Sequence, residues 1–207
     1  RANTIDVAQR NTSRSSGTIN FQGASGSVTI RAKNGTGAAA LNIGNNTTGT
    51  GQAIVGLVDL RGHNVDALFG TVNIGVFNAA TTANNDTTHT NTLRFDTGTM
   101  TMGAVTLATK AGTRRTNIIS NLEIGGGTVT IASLVIGSNT SDVFDSTGKF
   151  EVTGGNVTVT GTVSTGNQTL LGTANSTINV AGGSLTLGGN ITKKTADSSS
   201  TIKITGG

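Results

Sequence analysis

The sequence predicts an all-β chain wound into a right-handed parallel β-helix, a β-solenoid with three short strands per coil. Three observations lead there: a composition of small side chains, a repeat of about 28 residues, and an apolar periodicity of two within each repeat. The 207 residues weigh 20.6 kDa, about 100 Da each, and include 31 Gly but no Cys, Pro, Trp or Tyr. Aromatic residues make up only 3%. A domain of this length normally fills one wide core with large side chains, and this chain has too few of them. Disorder is excluded as well, because charged residues are only 12% and mean hydropathy is −0.03. A thin, repeated core is what remains.

The repeat is plainest in the second half. Four blocks align, Thr92 to Leu107, Asn121 to Ile136, Lys149 to Ser164 and Thr177 to Thr192, and a fifth begins at Thr201. Each holds a short strand, a glycine-containing turn, a second strand of the form X-Thr-X and a third apolar pair. In the first strand Leu122/Ile124, Phe150/Val152, Ile178/Val180 and Ile202/Ile204 point one way, and Glu123, Glu151, Asn179 and Lys203 the other. In the second, Val129/Ile131, Val157/Val159 and Leu185/Leu187 point in while Thr130, Thr158 and Thr186 point out. Such strands cannot bury an apolar face alone; stacking equivalent pairs makes a continuous narrow core. Outside that core, Arg94 is expected over Glu123, a favourable pair, and Glu123 over Glu151, a repulsive one.

Residues 1–207 read as one solenoid, irregular over 1–91 and regular over 92–207. In the irregular half, Thr4–Val7, Thr18–Phe21, Ala40–Ile43, Gly56–Leu60 and Thr71–Ile74 resemble the first strand, and Ser27–Ile30 the second. Their uneven spacing assigns no coils, and the whole chain is expected to make about eight to ten coils, a rod roughly 40–48 Å long. The polar stretch 79–92 reads as a protruding loop. The chain opens Arg1-Ala2-Asn3, so it is expected to be a processed product or a fragment.

The Gly-Gly-x-[Leu/Val]-Thr-[Leu/Val] core, seen at Gly154–Val159 and Gly182–Leu187, resembles the autotransporter-associated β-strand repeats of bacterial passenger regions. The resemblance covers residues 92–207 well and the first ninety loosely. It implies a β-helical stalk, exported to the bacterial cell surface, with an adhesive or structural role. The family's C-terminal membrane barrel has no counterpart in this sequence.

β-Helices also carry polysaccharide-active enzymes, so catalytic residues were sought. The densest cluster is Asp59, Arg61, His63 and Asp66; the first three alternate with Leu60 and Gly62 and would share an outer face. An acid–base site is one reading. A solvated strand edge is the other, favoured because no second set of acids is spaced one coil away. Asp142 and Asp145, in a loop between two repeats, offer oxygen ligands to calcium, but the glycine-rich nonapeptide pattern and the EF-hand pattern are both absent, and solvated loop acids are the favoured reading. His89 reads as an isolated loop histidine, and with only His63 for company a zinc site is not expected. The strings at Asn11, Asn34, Asn46, Asn139, Asn167 and Asn175 match glycan acceptors, as chance provides in a chain rich in Asn and Thr. No catalytic, cofactor or metal residue is therefore assigned, and no cofactor is expected.

Net charge is +4 and the isoelectric point about 10.0. With no basic run longer than two and no Tyr or Trp to stack on bases, nucleic acid is not the expected partner. No segment reaches the 18 or so apolar residues of a membrane span. One outer feature has geometry behind it: Thr101, Thr130, Thr158 and Thr186 share a register, with Thr99, Thr128, Asn156 and Ser184 beside them. An ice-binding face is one reading of this ladder, and Thr pairing in a sheet is the other. The expectation is a non-catalytic structural or adhesive rod that associates end to end or continues in a longer chain, with host-surface or matrix contacts. A polysaccharide-active enzyme or a phage tail-fibre segment is the alternative.

Overall fold

The computed structural model describes residues 1–9, 15–21, 25–46, 53–78, 87–112, 116–140 and 144–206. Among them there is no helix, and every strand pairing is parallel. The chain opens with β1 (Thr4–Val7), β2 (Ser15–Asn20), β3 (Ser27–Ile30), β4 (Ala39–Ile43) and β5 (Ile54–Asp59). Long strands follow: β6 (Asn64–Phe77), β7 (Thr87–Phe95), β8 (Gly98–Lys110), β9 (Thr116–Ile124) and β10 (Thr128–Asn139). The regular end has β11 (Ser146–Val152), β12 (Asn156–Val159), β13 (Val163–Gln168), β14 (Ala174–Val180), β15 (Ser184–Leu187), β16 (Ile191–Lys193) and β17 (Ser199–Ile204).

Each coil visits three faces. The first face is a seven-stranded sheet in the order β17-β14-β11-β9-β7-β5-β2. The other two are joined around a corner, because β6, β8 and β10 each run across both as one bent strand. The corner is visible in β10, where Ile131 and Leu134 are both buried and Ala132 and Ser133 both face out. Strict alternation would have put one of that pair inside. The next coil has one residue more there, Thr160-Gly161-Thr162, and the strand splits into β12 and β13. Three separate strands per coil therefore hold for the first coil, β2-β3-β4, and for the last two.

Equivalent residues stack in the expected columns. Leu93, Leu122, Phe150, Ile178 and Ile202 follow one another on the first face. Met100, Val129, Val157 and Leu185 do so on the second, and Val105, Leu134, Val163 and Ile191 on the third. Away from the exposed last coil these side chains are almost wholly buried. They form one continuous core of Val, Leu, Ile, Met and Phe.

Three expectations for the irregular half are corrected. The solenoid has about five turns, not eight to ten; six rung spacings across the seven-stranded face give a length of roughly 29 Å. Thr4–Val7, Ala40–Ile43 and Thr71–Ile74 lie on the third face, stacked as Ile5, Leu41 and Val72. Alternation says which side of a strand faces in; it does not say which of three faces the strand occupies. The stretch 79–92 is not all loop, because Thr87–Thr92 opens β7; residues 79–86 lie outside the described residues.

A second column runs behind the main core. Along the third face the backbone turns left-handed once per strand, just past β1 and β4 at Ala8 (φ 55) and Gly44 (φ 68), and within β6, β8, β10 and β13 at Gly75 (φ 68), Ala108 (φ 52), Gly137 (φ 64) and Gly166 (φ 58). Facing these kinks from the first face is a column of small or polar residues: Gly56, Asn91, Ser120, Gly148, Ser176 and Ser200. The fit is close. A Cβ on Gly44 would lie 1.7 Å from the Asn91 Oδ1, and one on Gly137 would lie 2.6 Å from the Ser176 Oγ. Beyond this column Phe77, Ala108 and Ile118 make a second, smaller core.

Candidate functional site

The Asp59–Asp66 cluster does not assemble as its spacing implied. β5 ends at Asp59, and the chain then turns through Gly62 at φ +76, which breaks the alternation. His63 is carried inward: it is buried, its ring packs 5.6 Å from that of Phe21, and its Nδ1 lies 3.0 Å from the Arg61 carbonyl. Asp66 is outward on β6, where its carboxylate takes the Arg31 guanidinium at 2.6 Å. Asp59 and Arg61 remain together as a bidentate pair, with Nε to Oδ1 at 2.8 Å and Nη2 to Oδ2 at 2.6 Å. That hydrogen-bonded guanidinium holds the Asp59 carboxyl below its ordinary 3.8 against the opposing effect of burial. A carboxylate held in this way is ionised at neutral pH and has no proton to give as a general acid.

One functional-looking residue escaped the sequence reading. Asp96, on the next coil, accepts the Gly62 N–H at 2.9 Å. It lines a shallow basin of about 390 Å³ with Asn20, Phe21, Asp59 and Arg61. A second acid one coil away is thus present. The register explains the meeting, since Arg94 stacks on Asp59 and Asp96 lies two residues further along.

From this basin a polar ladder climbs the outer first face. Asn20, Asp59, Arg94, Glu123, Glu151, Asn179 and Lys203 succeed one another in register. Arg94 reaches Glu123 at 2.8 Å and Asp59 at 3.7 Å. The repulsion expected between Glu123 and Glu151 is relieved, because Glu151 takes Lys149 at 2.8 Å and the Asn179 amide at 2.8 Å. The Lys149 contact is the chief cause that draws the Glu151 carboxyl below its ordinary 4.5.

The remaining candidates hold the coil in place. Asp145 Oδ1 accepts the Thr173 N–H at 3.1 Å, and Asn117 Oδ1 accepts the Asp145 N–H at 3.0 Å, so two corners are stitched across coils. Its companion Asp142 lies outside the described residues. His89 is a buried residue of β7, edge-on to Phe77 at 5.5 Å, and not a loop residue. Among the described residues no three His, Cys, Asp or Glu side chains converge as a metal site needs. Asn46 and Asn139 are buried, where a glycan has no room; Asn11 lies outside the described residues. Lys110, buried with its ammonium 5.7 Å from the Phe144 ring centroid, gave no sign in the sequence.

The Thr ladder stands as read. Thr101, Thr130, Thr158 and Thr186 are in register and outward, and Leu68 continues the column at one end. Beside it Asp66, Thr99, Thr128, Asn156 and Ser184 form a mixed column, with Ser184 Oγ donating to Asn156 Oδ1 at 3.0 Å. The ladder is four threonines long, bordered by an apolar residue and an acid.

Among the described residues no helix is long and apolar enough to cross a membrane. No family model, no curated protein and no solved structure matches this chain; what its own geometry supports is a β-solenoid built on repeats of roughly 29 residues.

Proposed function

We propose that this chain is a structural or adhesive rod, a stalk or fibre segment of an exported bacterial surface protein, and that it works without catalysis. The observation that carries this reading is the outer polar ladder. Its side chains are spent on one another and on neighbouring coils: Asp59 on Arg61 and Arg94, Arg94 on Glu123, and Glu151 on Lys149 and Asn179. Such a surface reinforces the stack. Extracellular placement draws on the likeness of the Gly-Gly-x-[Leu/Val]-Thr-[Leu/Val] strings to autotransporter-associated repeats, and the lack of cysteine is compatible with it. The test is imaging with incubation: single particles of the purified chain should be rods of uniform width, and a panel of polysaccharides should come through intact.

One observation favours a second reading, action on a saccharide. Asp59 and Asp96 share a basin with Phe21, a residue 40% exposed. Cleavage abolished by both Asp59→Asn and Asp96→Asn would establish that reading and overturn the first.

A further inference from the structure

The solenoid has a waist. At the kinks the third face closes on the first: a Cβ on Gly56 would lie 3.2 Å from the Gly44 N, and one on Gly148 would lie 3.0 Å from the Gly137 N. The main core lies on one side of this pinch and the Phe77, Ala108 and Ile118 core on the other. A backbone drawn inward between two cores leaves a furrow on its outer side. Asn42 and Asn45, on either side of Gly44, meet across that furrow, with Asn45 Nδ2 donating to Asn42 Oδ1 at 3.0 Å. Ser138, the first residue past Gly137, alternates with the inward Asn139 and yet is only 7% exposed. Over the Gly137 backbone, between Val135, Ser164, Asn167 and Lys194, the furrow widens to a cavity of about 310 Å³.

We infer that this furrow binds an extended, uncharged polysaccharide chain and is the adhesive surface of the rod. Its course and chemistry select that class. From the Asn42–Asn45 bridge it runs parallel to the axis, with Asn73, Thr106 and Ser164 in register on one bank and Thr109, Ser138 and Asn167 on the other. Hydroxyls and side-chain amides both donate and accept, as the hydroxyls of a sugar require. The Thr109 hydroxyl has no hydrogen-bond partner among the described residues. None of these bank residues is charged, and Lys194 enters only at the far end, so a nucleic acid finds no track of cations. A peptide strand finds no free edge, because β8 and β10 are paired on both sides. The scale also fits. The rungs of β6, β8, β10 and β13 span roughly 14 Å, and a pyranose unit is about as long as one rung is high.

This inference rests on the adhesive form of the rod reading, and the experiment separates the two. The purified chain is sedimented with insoluble particles of a β-glucan, a xylan, a mannan and chitin, all neutral. It should co-sediment with at least one of them, and molar salt should leave the bound fraction unchanged. Ser164→Trp plugs the furrow from an outward position and should abolish binding, as should Thr106→Trp two rungs away. Thr158→Trp, outward on the second face, should bind like the parent, and circular dichroism checks that each variant is folded. Independently of any variant, a soluble hexamer of the bound polymer should displace the chain far better than its dimer. Four results each overturn the proposal: no binding to any of the polymers, binding lost in molar salt, folded plug variants that bind no worse than Thr158→Trp, or a dimer as effective as the hexamer. All four leave the rod reading intact if single particles are rods. Shortening of the polymer would instead overturn the non-catalytic reading, and the plug variants would still report whether the furrow holds the chain.

Discussion

The Ser176 hydroxyl accepts the Gly166 N–H at 2.9 Å while donating to the Ile136 carbonyl at 2.6 Å, and so clasps the first face to the third across two coils. Ser120 occupies the same column two coils earlier, packed against Gly75, but its hydroxyl has no hydrogen-bond partner among the described residues. Removing the two hydroxyls should therefore have unequal effects. Ser176→Ala leaves a buried amide and a carbonyl unpaired and should cost about 1–3 kcal/mol. Ser120→Ala removes an unsatisfied buried polar group and should be neutral or slightly stabilising. Urea unfolding of both variants decides it; equal losses would refute the clasp.

The kink column gives a second contrast. Gly137→Ala places a methyl carbon 2.5 Å from the Asn175 carbonyl oxygen in a left-handed backbone, and should cost more than about 2 kcal/mol. Ala108→Gly runs the other way: relief of roughly 1 kcal/mol of left-handed strain at φ 52 offsets about 0.8 kcal/mol for one buried methyl. Its melting temperature should stay close to that of the parent.

Inside and outside of the second face should differ sharply. Val157→Asp puts an unpaired charge between Val129 and Leu185 in a dry column, and a loss above about 4 kcal/mol is expected, enough to prevent folding. Thr158→Ser, one residue along and outward, should change stability by no more than about 0.5 kcal/mol. Similar melting temperatures for the two would mean that the faces are reversed.

Acid should weaken the fold in a predictable window. Asp59 and Glu151 have folded-state pKa values below their ordinary 3.8 and 4.5, drawn down chiefly by Arg61 and Lys149. The folded state then binds fewer protons than the unfolded state as pH falls, so their contribution is complete above the ordinary carboxylate range. It is lost as pH drops through 4.5 and 3.8 toward the folded values. Melting temperature against pH should be flat near neutrality and decline below that range. Asp59→Asn should make the decline shallower; an unchanged acid limb would show that the Asp59–Arg61 pair does not contribute.

The columns were legible where the coil length is constant. From Leu93 to Leu122 to Phe150 to Ile178 the step is about 28 residues, so strings of the same pattern line up by eye. Between Thr18, Leu57 and Thr92 the steps are unequal, because the connections between faces vary in length: the chain leaves β3 at Ile30 and enters β4 only at Ala39, where β6 crosses the same corner as one strand. The strings Thr-Ile-Asp-Val, Ala-Leu-Asn-Ile and Thr-Val-Asn-Ile then gave no hint of their face, since in-out alternation is the same on all three. The kink column was missed although it had a signal: Ile43-Gly44, Ile74-Gly75 and Ile136-Gly137 put the same Ile-Gly pair at the kink of three third-face strands. The pairing of Asp59 with Asp96 in one basin depends on the same irregular register and was hidden for the same reason.

The stacked parallel rungs carry a mechanical consequence. Their hydrogen bonds point along the axis, and the chain enters at one end of the stack and leaves at the other. Tension between the termini therefore peels the outermost rung a few bonds at a time and does not shear many at once. Each released coil of about 28 residues supplies roughly 90–100 Å of slack for the loss of about 5 Å of stack. A molecule built this way resists bending and compression but pays out under a steady pull, a tether with a fuse at each end.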